Sequence, residues 1–68
     1  MRYAVVIERA DENYSVYAPD LPGCVAVGDT VEEAAEAMRE AIQFHIEGLR
    51  EDELPVPEPV TAVAYVAA

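Results

Sequence analysis

The chain has few of the residues on which most catalytic and metal sites depend. It holds one cysteine, Cys24, and one histidine, His45, among 68 residues. A single cysteine excludes an internal disulfide, and this usage favours the reducing cytoplasm as the compartment. Zinc would need further cysteine or histidine ligands. We therefore predict packing roles for both side chains, with no metal and no cofactor.

Positive charge is equally scarce. The chain has no lysine and four arginines, against 14 acidic residues, and its formal net charge is −10. Binding to a phosphate backbone needs a basic surface, so nucleic acid is a poor direct ligand. A basic protein is a better partner, because opposite fields steer association. The alternative is that the charge only keeps a small protein in solution.

Long apolar runs are also missing. The first one, behind Tyr3, stops at Glu8, well short of the length that spans a bilayer. We see no signal peptide, and we expect no contact with a membrane. The length predicts a single domain over residues 1–68, near the lower limit for a self-sufficient core.

The pattern of residues predicts four strands and one helix. Alternation of apolar and polar residues predicts strands over 2–8, 14–18, 24–28 and 61–66. Thr30 and Glu33 have the spacing of a capping box, so a helix should begin at Val31. It should fade between Gly48 and Glu51, and the three prolines that follow favour an extended connector.

This βββαβ order predicts an α+β domain with one helix on a four-stranded mixed sheet. A right-handed crossover that places the last strand beside the first gives the order 3-2-1-4. One helix covers one face of a sheet, yet both faces carry apolar groups. We therefore expect an obligate homo-oligomer, a dimer or tetramer, whose surface includes Tyr17, Val63 and Tyr65.

Catalysis is not predicted. Nothing in the sequence brings Cys24 and His45 together as an oriented pair. A metal-dependent nuclease needs acids that converge on one spot, whereas most acids here are spread along the predicted helix. Dispersed acids on a helix are usually a solvated surface. We predict that the protein is not an enzyme.

One ordered set of motifs is fairly specific. Residues 17–24 read Tyr-Ala-Pro-Asp-Leu-Pro-Gly-Cys, and residues 28–34 read Gly-Asp-Thr-Val-Glu-Glu-Ala. With the Pro-rich connector and the final strand, they closely resemble the N-terminal domain of HicB-family antitoxins. The resemblance covers almost the whole chain. It implies a truncated ribonuclease-H-like fold without working catalytic acids, and assembly into dimers or higher oligomers.

The resemblance also implies a partner. HicA toxins of these type II systems are small basic proteins that cleave mRNA, and the antitoxin binds the toxin and masks its active site. Many such antitoxins add a C-terminal DNA-binding domain, whereas this sequence stops two residues after the predicted last strand. We therefore expect a stand-alone HicB-like domain.

The first hypothesis for function is neutralisation of a basic HicA-type toxin. The expected contacts are acids of the helix and its surroundings: Asp20, Asp29, Glu32, Glu36 and Glu40. The alternative is a stand-alone oligomeric domain with a structural or small-ligand-binding role and no toxin. A residual metal-dependent nuclease is the third and weakest hypothesis.

Overall fold

A computed structural model describes all residues, 1–68, as three strands and one helix. The elements are β1 (Val6–Arg9), β2 (Tyr14–Tyr17), β3 (Val25–Gly28) and α1 (Val31–Glu51). The strands form an antiparallel sheet in the order β1-β2-β3, with α1 against one face. The predicted α+β class, the meander and the single helix are confirmed. The likeness to a truncated ribonuclease-H fold stays a prediction.

The register of the sheet separates its two faces as the alternation predicts. Ile7, Val16 and Ala26 are cross-strand neighbours on the face that meets α1. Val6, Tyr17 and Val25 form the corresponding row on the opposite face, which no helix covers. We call this uncovered surface, centred on Tyr17, Val25 and Val27, the outer sheet face.

The loop between β2 and β3 contributes directly to the core. The Leu21 side chain is fully buried, and its neighbours Ala18 and Cys24 are buried with it. The Cys24 amide donates to the Leu21 carbonyl at 3.1 Å, which closes a turn over Pro22 and Gly23. Gly23 has a φ of +82°, the left-handed backbone that the third residue of a type II turn requires. The Pro-Gly signature therefore holds a core residue in place.

Helix α1 begins at the predicted cap. The Thr30 hydroxyl accepts a hydrogen bond from the Glu33 amide at 3.0 Å. The Glu33 carboxylate, however, accepts from the Asp29 amide at 3.2 Å rather than from the amide of Thr30. The reciprocal arrangement satisfies two backbone donors at the helix start, as a capping box does, but it reaches one residue further back. The helix ends at Glu51, as expected.

Close approach to β3 fixes where the helix lies. Ala34 and Met38 are its only fully buried residues, and Val16 of β2 lies in the same cluster. A Cβ added to Gly28 would come within 2.7 Å of the Ala34 Cα. A side chain at position 28 would thus push the first turn of α1 away from the sheet. The packing of α1 is closest to β3 and weakest toward β1.

The predicted fourth strand is absent from the sheet of the single chain, which has three strands rather than the four of the order 3-2-1-4. Every residue of the segment 60–68 is exposed, and none belongs to a strand. We call Thr61–Ala68 the tail. The Cα radius of gyration is 12.9 Å, against about 11 Å for a compact chain of this length. Hydrogen bonds to Asp20 hold Thr61, the first tail residue, beside the β2–β3 loop, and the tail extends into solvent from that point.

The contact at Gly28 can be tested with a matched pair of glycine variants. Gly28→Ala should lower the free energy of unfolding by about 2 kcal/mol, because the added methyl group overpacks against helix backbone. Gly48→Ala should raise it by about 1 kcal/mol, since its Cβ meets nothing and alanine favours the helix. Urea denaturation measures both values. Equal effects of the two variants would contradict the close approach.

Candidate protein-binding site

Three of the predicted contact acids lie along one side of α1. Glu32, Glu36 and Glu40 recur every four residues and are exposed. We call them the acidic helix face. Glu36 is paired with Arg39 at 2.7 Å, and the hydrogen bond from that guanidinium lowers the pKa of the Glu36 carboxyl. The face therefore offers carboxylates to solvent, one of which already has a positive neighbour.

The other two predicted acids lie at opposite ends of the sheet. Asp29 directly follows Gly28, which pairs with Tyr14, so Asp29 lies at the start of α1 near Glu32. Asp20 lies beyond the other end of β2, where Tyr17 pairs with Val25. The structure thus brings Asp29 to the acidic helix face and leaves Asp20 apart from it.

Asp20 instead holds the root of the tail. Its Oδ2 accepts hydrogen bonds from the Val60 amide at 3.1 Å and the Thr61 amide at 3.0 Å, and its Oδ1 accepts from the Thr61 hydroxyl at 2.8 Å. The bonds from Thr61, with that from Val60, lower the pKa of the Asp20 carboxyl. No short-range pattern in the sequence marks this contact, because it joins residues 40 and 41 positions apart.

A second potential contact surface is apolar. The outer sheet face exposes Tyr17, Val25 and Val27, and the helix exposes Phe44, whose accessible fraction is 78%. Val25 lies in a shallow groove with Phe44 and also borders the outer sheet face, so the two form one continuous surface. Phe44 was not predicted as a contact residue. A large aromatic side chain outside the apolar stripe of α1 was the signal that could have identified it.

Cys24 and His45 line the same groove, but no hydrogen bond connects them. The Cys24 side chain is only 4% exposed, and burial raises the pKa of its thiol. A protonated, buried thiol is a poor nucleophile. No three histidine, cysteine or acidic side chains converge as metal ligands would. The chemistry that the surface offers is therefore binding through charge and apolar contact.

Comparison with known proteins gives a consistent result. A family model described as the HicB-like antitoxin of bacterial toxin–antitoxin systems matches residues 3–68. The 14.9 kDa protein of the rep-hol intergenic region of Haemophilus phage HP1 is 48% identical over 62 residues, which cover 88% of this chain and 47% of that protein. Antitoxin HicB 1 of Photorhabdus laumondii is 40% identical over 65 residues, covering 88% of this chain and 41% of the relative.

A solved structure extends the likeness to three dimensions. A chain of a HicA3 and HicB3 toxin-antitoxin complex superposes with a TM-score of 0.77 at 32% identity. The match covers 88% of this chain and 70% of that one. These relatives define the class as an α+β antitoxin domain.

The chain belongs to the HicB-like antitoxin family. Antitoxins act by binding, and the protein is not an enzyme. It spans about half the length of the phage relative, and less of the Photorhabdus antitoxin. Its one helix is neither long enough nor apolar enough to cross a bilayer.

The role of Asp20 can be tested by Asp20→Asn. The variant loses the charge and one acceptor oxygen, so the Thr61 amide should exchange with solvent faster and the tail should become mobile. We call the three hydrogen bonds from Val60 and Thr61 to the Asp20 carboxylate the clamp. In the parent, the clamp is complete above pH 3.8, the ordinary pKa of an Asp carboxyl, and it is lost as the pH falls through the lowered pKa of Asp20. NMR of the Thr61 amide across this range measures the release.

Asp11→Asn provides the control, because Asp11 is an exposed turn residue whose side chain accepts no hydrogen bond. It should leave Thr61 unchanged at every pH. A protected Thr61 amide in Asp20→Asn, or release of the tail near neutral pH in the parent, would contradict the clamp.

Proposed function

We propose that this domain neutralises a HicA-type, mRNA-cleaving toxin by binding it. The observation that carries the proposal is the close likeness, in sequence and backbone, to a chain from a HicA3 and HicB3 toxin-antitoxin complex. The likeness covers 88% of the present chain, so the two chains share most of the backbone on which a contact surface would be built. Membership of an antitoxin family supports the same role.

The charge of the domain supports a basic partner. A net charge of −10 on 68 residues creates a negative field that steers a positive protein toward it. The acidic helix face and Asp29 form the part of this surface that we propose for the contact. Asp20 is a weaker candidate, since its carboxylate already accepts three hydrogen bonds from the chain itself.

Removing the acidic helix face tests the contact. The triple variant Glu32→Gln, Glu36→Gln, Glu40→Gln changes the net charge from −10 to −7 and removes no buried group. Its affinity for a HicA-type toxin encoded beside this chain should fall about tenfold, as expected for three exposed charges. The dependence of binding on salt should weaken with it. Isothermal titration calorimetry at two salt concentrations measures both.

A second triple variant separates position from net charge. Glu51→Gln, Glu53→Gln, Glu58→Gln makes the same change in charge at the C-terminal end of α1 and in the segment that follows it, away from Asp29 and the acidic helix face. It should bind the toxin nearly as well as the parent. Equal losses in the two variants would mean that the helix face is not the contact. No binding by the parent at low salt would remove the proposal itself.

A stand-alone oligomeric role is the second candidate. The observation that favours it is the apolar outer sheet face, whose Tyr17, Val25 and Val27 no part of the chain covers. Such a domain would form a stable oligomer and ignore HicA-type toxins. Growth rescue separates the two candidates, because only a neutralising antitoxin restores growth to cells that express the toxin.

We place this activity in the cytoplasm, where an mRNA-cleaving toxin would act. The buried, unpaired thiol of Cys24 is compatible with that reducing compartment. Fractionation of the native host, with detection of the untagged protein, tests the location. Recovery of the protein outside the cytoplasm would contradict it.

A further inference from the structure

The largest groove of the molecule lies between α1 and the N-terminal side of the sheet. It has a volume of about 710 Å³, and its apolar lining includes Tyr3, Val5, Met38 and Ile42. Strand β1 pairs only with β2, so its other edge has no backbone partner. An open edge beside an apolar groove is the surface that an added strand occupies. We call it the β1 groove.

The tail has the composition of a strand and no strand to pair with. Residues 60–68 carry no charged side chain and are rich in valine and alanine, with one tyrosine. Tyr65 is 98% exposed, and Val63 and Val66 are exposed as well. The family model extends through residue 68, so the tail is part of the pattern that defines this domain. An uncharged, β-prone segment that is exposed to water is of the kind that pairs with the open edge of a sheet.

The root of the tail lies next to the β1 groove. Tyr3 lines that groove, and its hydroxyl donates a hydrogen bond to the Pro57 carbonyl at 2.6 Å. Asp20 then holds Val60 and Thr61, and from that point the tail leaves the body of its own chain. The segment is thus fixed at its start and free beyond it, beside a groove that it does not enter.

Charge distinguishes between the possible occupants of the groove. Arg2, Arg39 and Arg50, three of the four arginines, line the β1 groove. The lining also includes one acid, Glu47, and Arg39 is paired with Glu36, so the groove has little unpaired charge and suits an uncharged strand. Each chain also has one tail and one such groove. In a pair of copies, the groove of each can therefore accept the tail of the other, which gives a closed two-fold dimer.

We infer that two copies of this chain exchange their tails, each tail adding to the open edge of β1 in the partner and packing in its β1 groove. The completed sheet has four strands, with the fourth supplied by the other copy. Val63 and Tyr65, two of the residues expected from sequence at an oligomer surface, are the apolar anchors of the exchange. The third, Tyr17, lies on the outer sheet face and remains available to another partner. This inference concerns assembly without toxin and goes beyond the proposed function.

Sedimentation equilibrium of the full chain, without toxin, tests the exchange. The parent should be a dimer. The double variant Val63→Ala, Tyr65→Ala, called the tail variant, should weaken association by more than about tenfold. Phe44→Ala is the matched control, since it removes an aromatic residue of comparable exposure from another surface. It should leave the dimer intact. Circular dichroism should give the same helix content for all three proteins.

Four results would overturn the exchange. The first three are a monomeric parent at every concentration, a tail variant that dimerises like the parent, and loss of the dimer in Phe44→Ala alone. A tail variant that is destabilised independently of concentration would mean that each tail fills its own groove, which also contradicts exchange. Toxin binding, measured separately, does not affect these outcomes.

Discussion

The two-residue connection between β3 and α1 determines most of what this domain exposes. Asp29 and Thr30 alone separate the strand from the helix, so α1 must begin directly over the end of β3. Gly28 permits that approach, because any side chain would meet the backbone of Ala34. The helix therefore covers β3 and β2 well and β1 poorly. The β1 groove and the outer sheet face are both consequences of a single helix placed off-centre on a small sheet.

The loop between β2 and β3 compensates in part for this small core. Leu21 fills the space that the helix leaves at one end of the sheet, and the turn at Gly23 holds it there. The same loop supplies Asp20, which fixes the tail. A segment whose sequence signature resembles that of an antitoxin family thus has two structural tasks. Asp20 accepts hydrogen bonds from the chain itself, whereas Glu32, Glu36 and Glu40 of α1 are exposed to solvent and remain available to a partner.

Local signals predicted the local structure well. The capping residues at Thr30 and Glu33 placed the helix start, and period-two alternation separated the two faces of the sheet. Contacts between distant residues were beyond reach: no short-range pattern marks the bonds of Asp20 to Thr61, so Asp20 was read only as a partner contact. The prediction that a fourth strand joins the sheet of the same chain was wrong for a related reason. Composition gives β-propensity to Thr61–Val66, but pairing depends on an edge that can be reached.

The central claim is that the single chain is structurally incomplete and is covered by another chain. Isotope-filtered NMR on an equimolar mixture of labelled and unlabelled copies, without toxin, tests it most directly. Exchange of the tails should give nuclear Overhauser contacts between the Tyr65 ring of one copy and the Ile42 methyl groups of the other. Contacts of Tyr65 that arise only within one copy, or a Tyr65 ring that remains fully solvated, would contradict it.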